Sequence, residues 1–161
     1  MTNPVTLDEA RAWLRARIDD GALCPCCTQM VKAYRRQINS RQARCLIAIY
    51  RAAGTDWCHI PTVEAKLGLG GSETGRLRHW GLITELQARR DDGGRAGWWR
   101  ITDRGERYVQ GKLRVPRYAR IFNARCLELY GEPVGILDAL GTEFSYAELM
   151  GTTTNHQGAT A

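Results

Sequence analysis

Three cysteines fall within four positions, Cys24-Pro25-Cys26-Cys27. A Cys-x-x-Cys pair on a tight turn can bite a zinc ion at about 2.3 Å per sulfur, which makes Cys24 and Cys27 candidate ligands, with Cys26 between them. A structural site takes four ligands, and the chain has no second Cys-x-x-Cys. His59 is the candidate that completes a set of Cys24, Cys26, Cys27 and His59, with Cys58 and Cys45 as other donors. A structural Zn2+ is therefore the one cofactor these residues suggest. The first expectation is nevertheless a reduced cluster without metal. A third reading is a redox pair, Cys24 with Cys27, whose thiolate form would be favoured by nearby Lys32 and Arg35. Cys45, Cys58 and Cys126 read as small buried hydrophobes.

The second group of chemically able residues is cationic. The chain carries 23 Lys and Arg against 17 Asp and Glu, a formal net charge of +6. The distribution is uneven. Residues 41–120 hold sixteen basic and eight acidic side chains, a surplus of +8, whereas residues 1–40 give +2 and residues 121–161 give −4. A local surplus of this kind points to a polyanionic partner. Within it, Ser72, Arg76, Arg78 and His79 are closely spaced, and Arg89, Arg90, Arg95 and Arg100 follow.

The elements that must position these residues can be read from periodicity and caps. Residues 7–18 form a helix, with Leu7, Ala10, Trp13, Leu14 and Ile18 at helical spacing and Thr6 as its cap. The cysteine turn follows, then a second helix over about residues 28–38. A third runs from about Arg41 to Ala53, with Leu46, Ile47, Ile49, Tyr50 and Ala53 on a wide apolar face. Residues 57–60 are a short extended segment. Pro61 opens another helix, and the Gly68-Leu69-Gly70-Gly71 turn leads to a helix capped by Ser72. At 100° per residue, Leu77 and Trp80 face the core while Ser72, Gly75, Arg76 and His79 face outward and Arg78 lies on a flank. The outer face is small, polar and basic, a kind of face that the major groove of a nucleic acid admits, and Gly75 leaves room for close approach. Residues 83–88 read as a strand, Asp92-Gly93 as a hairpin turn, and residues 98–101 as the return strand. Trp98 and Trp99 must point to opposite faces. Thr102 caps a closing helix. Residues 114–118 read as a basic linker, residues 121–136 as a hairpin turning at Gly131-Glu132-Pro133, residues 144–150 as a short helix, and residues 151–161 as a disordered tail.

With those elements in order, residues 41–110 resemble winged helix-turn-helix DNA-binding domains. The resemblance rests on Arg78-His79-Trp80-Gly81-Leu82-Ile83 as the entry to the first wing strand, on the Asp92-Gly93-Gly94 wing tip, and on Ile101-Thr102-Asp103-Arg104-Gly105 as the opening of the closing helix. The whole-chain layout, with the cysteine turn before this domain and a hairpin after it, is similar to small phage and prophage proteins. The resemblance implies that the helix over residues 72–80 enters the major groove. It makes Arg76 and His79 candidates for base edges, with Ser72 at the helix start. Arg78, Arg89, Arg90, Arg95 and Arg100 become candidates for phosphate contact. Asp91 and Asp92 depart from a purely basic wing and count against deep minor-groove insertion.

The resulting expectation is a mainly α fold with small β-hairpins, of the α+β class. It comprises an N-terminal helical extension with the cysteine knuckle (1–39), a winged-helix domain (40–112), a linker with a C-terminal hairpin module (113–150) and a tail (151–161). The expected function is sequence-directed binding of double-stranded DNA by a phage or bacterial transcriptional regulator, with a homodimer as one arrangement. One alternative is a protein-interaction module docking on a host protein. Another is a thiol- or zinc-sensing regulator. No phosphate loop, Gly-x-Ser-x-Gly or His-Glu-x-x-His motif is present, so an enzyme is not expected. No run of about 18 apolar residues occurs and no leader pattern opens the chain, so the expected setting is cytoplasmic, without a membrane partner.

Overall fold

A computed structural model describes residues 6–69, 73–88, 91, 93 and 97–151. Ser72, Arg89, Arg90 and Arg95 lie outside the described residues. The chain divides into two units, one of residues 1–37 with 118–130, the other of residues 38–117 with 131–161. This differs from the division expected from sequence, because residues 131–150 join the central unit and residues 118–130 join the N-terminal one.

In the N-terminal unit, α1 (Leu7–Arg15) begins at a capping box: the Glu9 amide donates to the Thr6 hydroxyl at 3.2 Å, and the Thr6 amide donates to the Glu9 carboxylate at 2.8 Å. Such reciprocal bonds satisfy donors that the first turn otherwise leaves unpaired. The cysteine turn then joins two short antiparallel strands, β1 (Ala22–Leu23) and β2 (Met30–Val31). The helix expected over residues 28–38 does not form. Thr28 takes a left-handed backbone (φ 61°), and Tyr34–Gln37 becomes strand β3, pairing antiparallel with Tyr118–Ile121 of β7 (Val115–Phe122). A partner more than 80 positions away in sequence overrides the local helical pattern. The linker expected at residues 114–118 is largely strand, the start of β7. The second hairpin does exist, but it turns at Asn123-Ala124, both at positive φ (47° and 59°), before β8 (Arg125–Val134). This is the two-residue loop whose twist suits antiparallel strands. Gly131-Glu132-Pro133, expected as the turn, lies inside β8.

The central unit is built on α2 (Ser40–Ala53), capped by Asn39 and Gln42 in a second capping box. Gln42, Ala43, Cys45, Leu46, Ile47 and Ile49 are all buried. A helix buried over so much of its circumference needs neighbours on several sides. Here they are α3 (Ile60–Lys66), the segment Thr74–Trp80, β6 (Trp98–Ile101), α4 (Asp103–Val109), α5 (Ile136–Leu140) and α6 (Tyr146–Met150). The two C-terminal helices thus complete this core instead of forming a separate module. Ile136 and Leu140 are buried, the Tyr146 hydroxyl donates to the Val109 carbonyl at 2.6 Å, and the Arg44 guanidinium lies 4.3 Å over the Phe144 ring.

A three-stranded antiparallel sheet, in the order β4 (Cys58–His59), β6, β5 (Ile83–Glu85), closes the unit. Its register sets Cys58 opposite Trp99, His59 opposite Trp98, Ile83 opposite Ile101 and Thr84 opposite Arg100. As alternation requires, Trp99 is buried and Trp98 exposed. Thr102 caps α4 by accepting from the Gly105 amide at 3.0 Å.

Candidate nucleic-acid interface

The segment expected to read DNA is a 3-10 helix, Thr74–Trp80. Three residues per turn bring positions i and i+3 into line. Thr74, Leu77 and Trp80 therefore form a single row, and all three are buried. Arg76 and His79 form a second row and Gly75 and Arg78 a third. The pairing of Arg76 with His79 thus survives the change of helix type, but the outward placement of Gly75 does not. A Cβ at Gly75 would stand 3.4 Å from Cζ2 of Trp99, so this glycine gives space to a core indole. The row of buried residues is pinned from below. The Trp80 indole N–H donates to the Pro116 carbonyl at 2.7 Å, and the Arg104 Nε donates to the Trp80 carbonyl at 3.0 Å. Gly81 (φ 71°) then turns the chain into β5.

Glu73 organises the start of the segment. Its backbone carbonyl accepts from the Gln42 side-chain amide at 2.7 Å, and one carboxylate oxygen accepts from the Asn39 side-chain amide at 3.0 Å. The other accepts from the Arg76 guanidinium at 3.1 Å. The first helical cap of the unit and the proposed reading segment are therefore tied to one another. The same contact offsets part of the Arg76 charge. One step along, the Thr74 hydroxyl donates to the buried Glu64 carboxylate at 2.6 Å. Sequence reasoning missed both carboxylates because neither belongs to a motif; only the fold brings them to the segment.

Arg76, Arg78 and His79 are each half-buried. Arg76 and Arg78 line a cleft of about 400 Å³ with Ile60, Pro61, Glu64, Gly75, Glu85, Gly97 and Trp99. Burial, and then the charges of Arg78 and Arg76, lower the pKa of His79 below the ordinary histidine value. His79 is accordingly a neutral hydrogen-bonding group near pH 7. Arg100 is exposed on β6, and its guanidinium lies 5.1 Å over the Trp57 ring.

Of the four residues expected to hold zinc, Cys24, Cys26 and Cys27 lie in the N-terminal unit. His59 belongs to the central unit, where its Nδ1 lies 2.7 Å from the Thr62 hydroxyl. Among the described residues no group of three or more His, Cys, Asp and Glu side chains is placed to hold a metal ion. All six cysteines are free thiols. The turn itself is well formed, with the Cys24 amide donating to the Gln29 carbonyl and the Thr28 amide to the Cys24 carbonyl, both at 2.8 Å. Backbone amides of Cys26 and Cys27, then the Cys27 thiol, lower the Cys24 pKa. Cys45 is the opposite case, pushed up to about 11 by burial, and Cys58 is raised by the same cause. Those two are buried, as small hydrophobes should be, whereas Cys126 is only partly covered.

No helix among the described residues is long and apolar enough to cross a membrane. Comparison of the chain with protein-family models, with curated proteins and with solved structures finds no match.

Proposed function

We propose that residues 40–112 form a winged helix that binds double-stranded DNA, and that the chain is a phage or bacterial transcriptional regulator. The observation that carries the reading is the order α2, β4, α3, 3-10 helix, β5, β6, with β6 between β4 and β5. That connectivity presents one short helical segment and one hairpin from the same unit, within residues 38–117, which carry fifteen basic against eight acidic side chains. Arg76 and His79 share a row of the segment and are the groups assigned to base edges. Arg78 and Arg100, with the wing arginines Arg89, Arg90 and Arg95, are assigned to phosphates. Neutral His79 donates or accepts one hydrogen bond instead of adding charge.

The test is fluorescence anisotropy on a GC-rich duplex pool over a salt series. Neutralising about five phosphates gives a slope of log K against log salt near −4 to −5. Wild type should show such a slope, and Arg76→Ala/His79→Ala should bind more weakly. A slope near zero would refute the electrostatic part of the proposal.

One observation favours a second reading, docking on a host protein. Glu73 holds Arg76, and Glu64 and Glu85 share the cleft with Arg76 and Arg78. A mixed-charge cleft suits a protein surface better than it suits a phosphate backbone. No duplex binding even at low salt would select this reading.

A further inference from the structure

We infer that the outer face of the β4–β6–β5 sheet is a stacking platform for unpaired bases of a DNA strand, formed by Trp57, His59, Trp98 and Arg100. Register fixes its membership. Side chains alternate between faces along a strand, and directly paired residues share a face. His59 pairs with Trp98, and Thr84 with Arg100. Trp57 precedes His59 by two positions and meets Arg100 directly. The opposite face carries Cys58, Trp99, Ile101 and Ile83, all buried. That inner face supplies the buried packing of the sheet, while Trp57 and Trp98 keep more than a third of their surface exposed.

Trp57 remains 37% exposed and Trp98 41% exposed. A single exposed apolar side chain is ordinary, but grouped ones mark contact surfaces. These rings are also held in place before any partner arrives. The Arg100 guanidinium stands 5.1 Å over Trp57. The His59 and Trp98 rings are 5.6 Å apart and tilted by 49°, while Thr62 fixes the far side of the imidazole. Gly97 takes φ +72°, and a Cβ there would lie 3.1 Å from the His59 Nε2. Glycine therefore lets the histidine ring lie against the start of β6.

Indole rings beside a guanidinium match the needs of a single strand. Every base offers a π face, so stacking tolerates any sequence, and the cation meets the phosphates. The local charge agrees, since Arg100 is exposed on this face and residues 38–117, which hold the sheet, carry fifteen basic against eight acidic side chains. The choice of DNA over RNA rests on the function proposed above; the stacking does not.

The test uses the full chain and a labelled oligothymidylate of about 12 nucleotides, which forms no duplex. Trp57→Ala/Trp98→Ala should weaken binding about tenfold or more. The salt slope should stay unchanged, because no charge is removed. Trp57→Phe/Trp98→Phe should retain most of the affinity, which separates stacking from loss of fold. Duplex binding should be little changed in both variants, while Arg76→Ala/His79→Ala weakens duplex binding alone. Failure of the duplex proposal would thus appear in a different arm. The platform is overturned if wild type does not bind the oligothymidylate at low salt, or if the alanine variant binds it as tightly as wild type. Tighter binding of an oligouridylate of equal length would overturn the assignment to DNA.

Discussion

Replacing Gly105 by alanine tests how α4 seats against the chain that follows the 3-10 segment. In an open helix the change should stabilise, since alanine is favoured over glycine by about 1 kcal/mol. Gly105 sits in α4 over the entrance to β5, however, where an added Cβ would overlap the Leu82 carbonyl oxygen and stand 2.9 Å from Cγ2 of Ile101. The carbonyl is backbone and is already engaged, accepting from the Thr102 amide at 3.1 Å. Relief requires α4 to move away. That movement strains the Thr102 amide bond and the Thr102 hydroxyl bond to the Gly81 carbonyl, 2.6 Å long. It also loosens Tyr108 and Val109, both fully buried. Overpacking costs about 1–3 kcal/mol, and each weakened hydrogen bond adds about 0.5–1.5 kcal/mol. After the propensity gain is set against these losses, Gly105→Ala should destabilise by about 3 kcal/mol. A chain of this size should then melt about 6–12 °C lower. Urea titration with unchanged m-value is the assay of choice. Stability equal to or above wild type would refute the reasoning, because it would mean that propensity prevails and α4 is not seated on Leu82.

Other expectations concern the reading segment and the thiols. Glu73→Gln removes the carboxylate that holds Arg76, so duplex affinity should rise a few-fold at low salt and the salt slope should steepen by about 0.9; unchanged binding would remove Arg76 from the interface. Burial lowers the His79 pKa in the folded chain, so protonation favours unfolding: no penalty exists above about pH 6.5, and the penalty grows as pH falls from there through the lowered folded value. His79→Gln should therefore flatten the loss of melting temperature below pH 6.5, and an unaltered profile would contradict a half-buried imidazole that resists protonation. Cys24 should alkylate with iodoacetamide faster at pH 7 than any other cysteine, while Cys45 should stay unmodified until the chain unfolds; peptide mapping by mass spectrometry reads both. The same preparation should hold far less than one equivalent of zinc, and a full equivalent with unreactive thiols would show that the cysteine turn does ligate metal.

Several helix starts and the paired strands β5 and β6 of the central unit were legible in the sequence because their signals are local. Pro61 at a first turn and Thr102 ahead of α4 mark helix starts by rules that need no tertiary information. Adjacent Trp98 and Trp99 had to divide between faces, and they do. In the N-terminal unit α1 and its Thr6 cap were legible, but the strands were not. β3 is four residues long and wholly exposed, so it has no apolar alternation to read, and its partner strand lies far along the chain. The turn at Asn123-Ala124 escaped notice because alanine is a poor marker of positive φ, whereas Gly131 and Pro133 are strong turn residues that here sit within a strand.

The candidate site was legible only as far as the assumed helix type allowed. At 100° per residue, Gly75, Arg76 and His79 share an outer face; at three residues per turn, Gly75 moves to the row of Arg78 and meets Trp99. The choice between these geometries was not written in residues 74–80 themselves. It follows from what surrounds them: Glu64 takes the Thr74 hydroxyl, Pro116 takes the Trp80 indole, and Gln42 and Asn39 hold Glu73. These bonds fasten Thr74 and Trp80 on one side, and a row repeating every third residue satisfies both. The tighter winding thus places both arginines of the segment beside a shared cleft, while burial and then the charges of Arg78 and Arg76 disfavour protonation of His79. Any recognition by this segment would accordingly rest on the direction of a few hydrogen bonds more than on its net charge, and the wing and sheet arginines would supply the salt-dependent part.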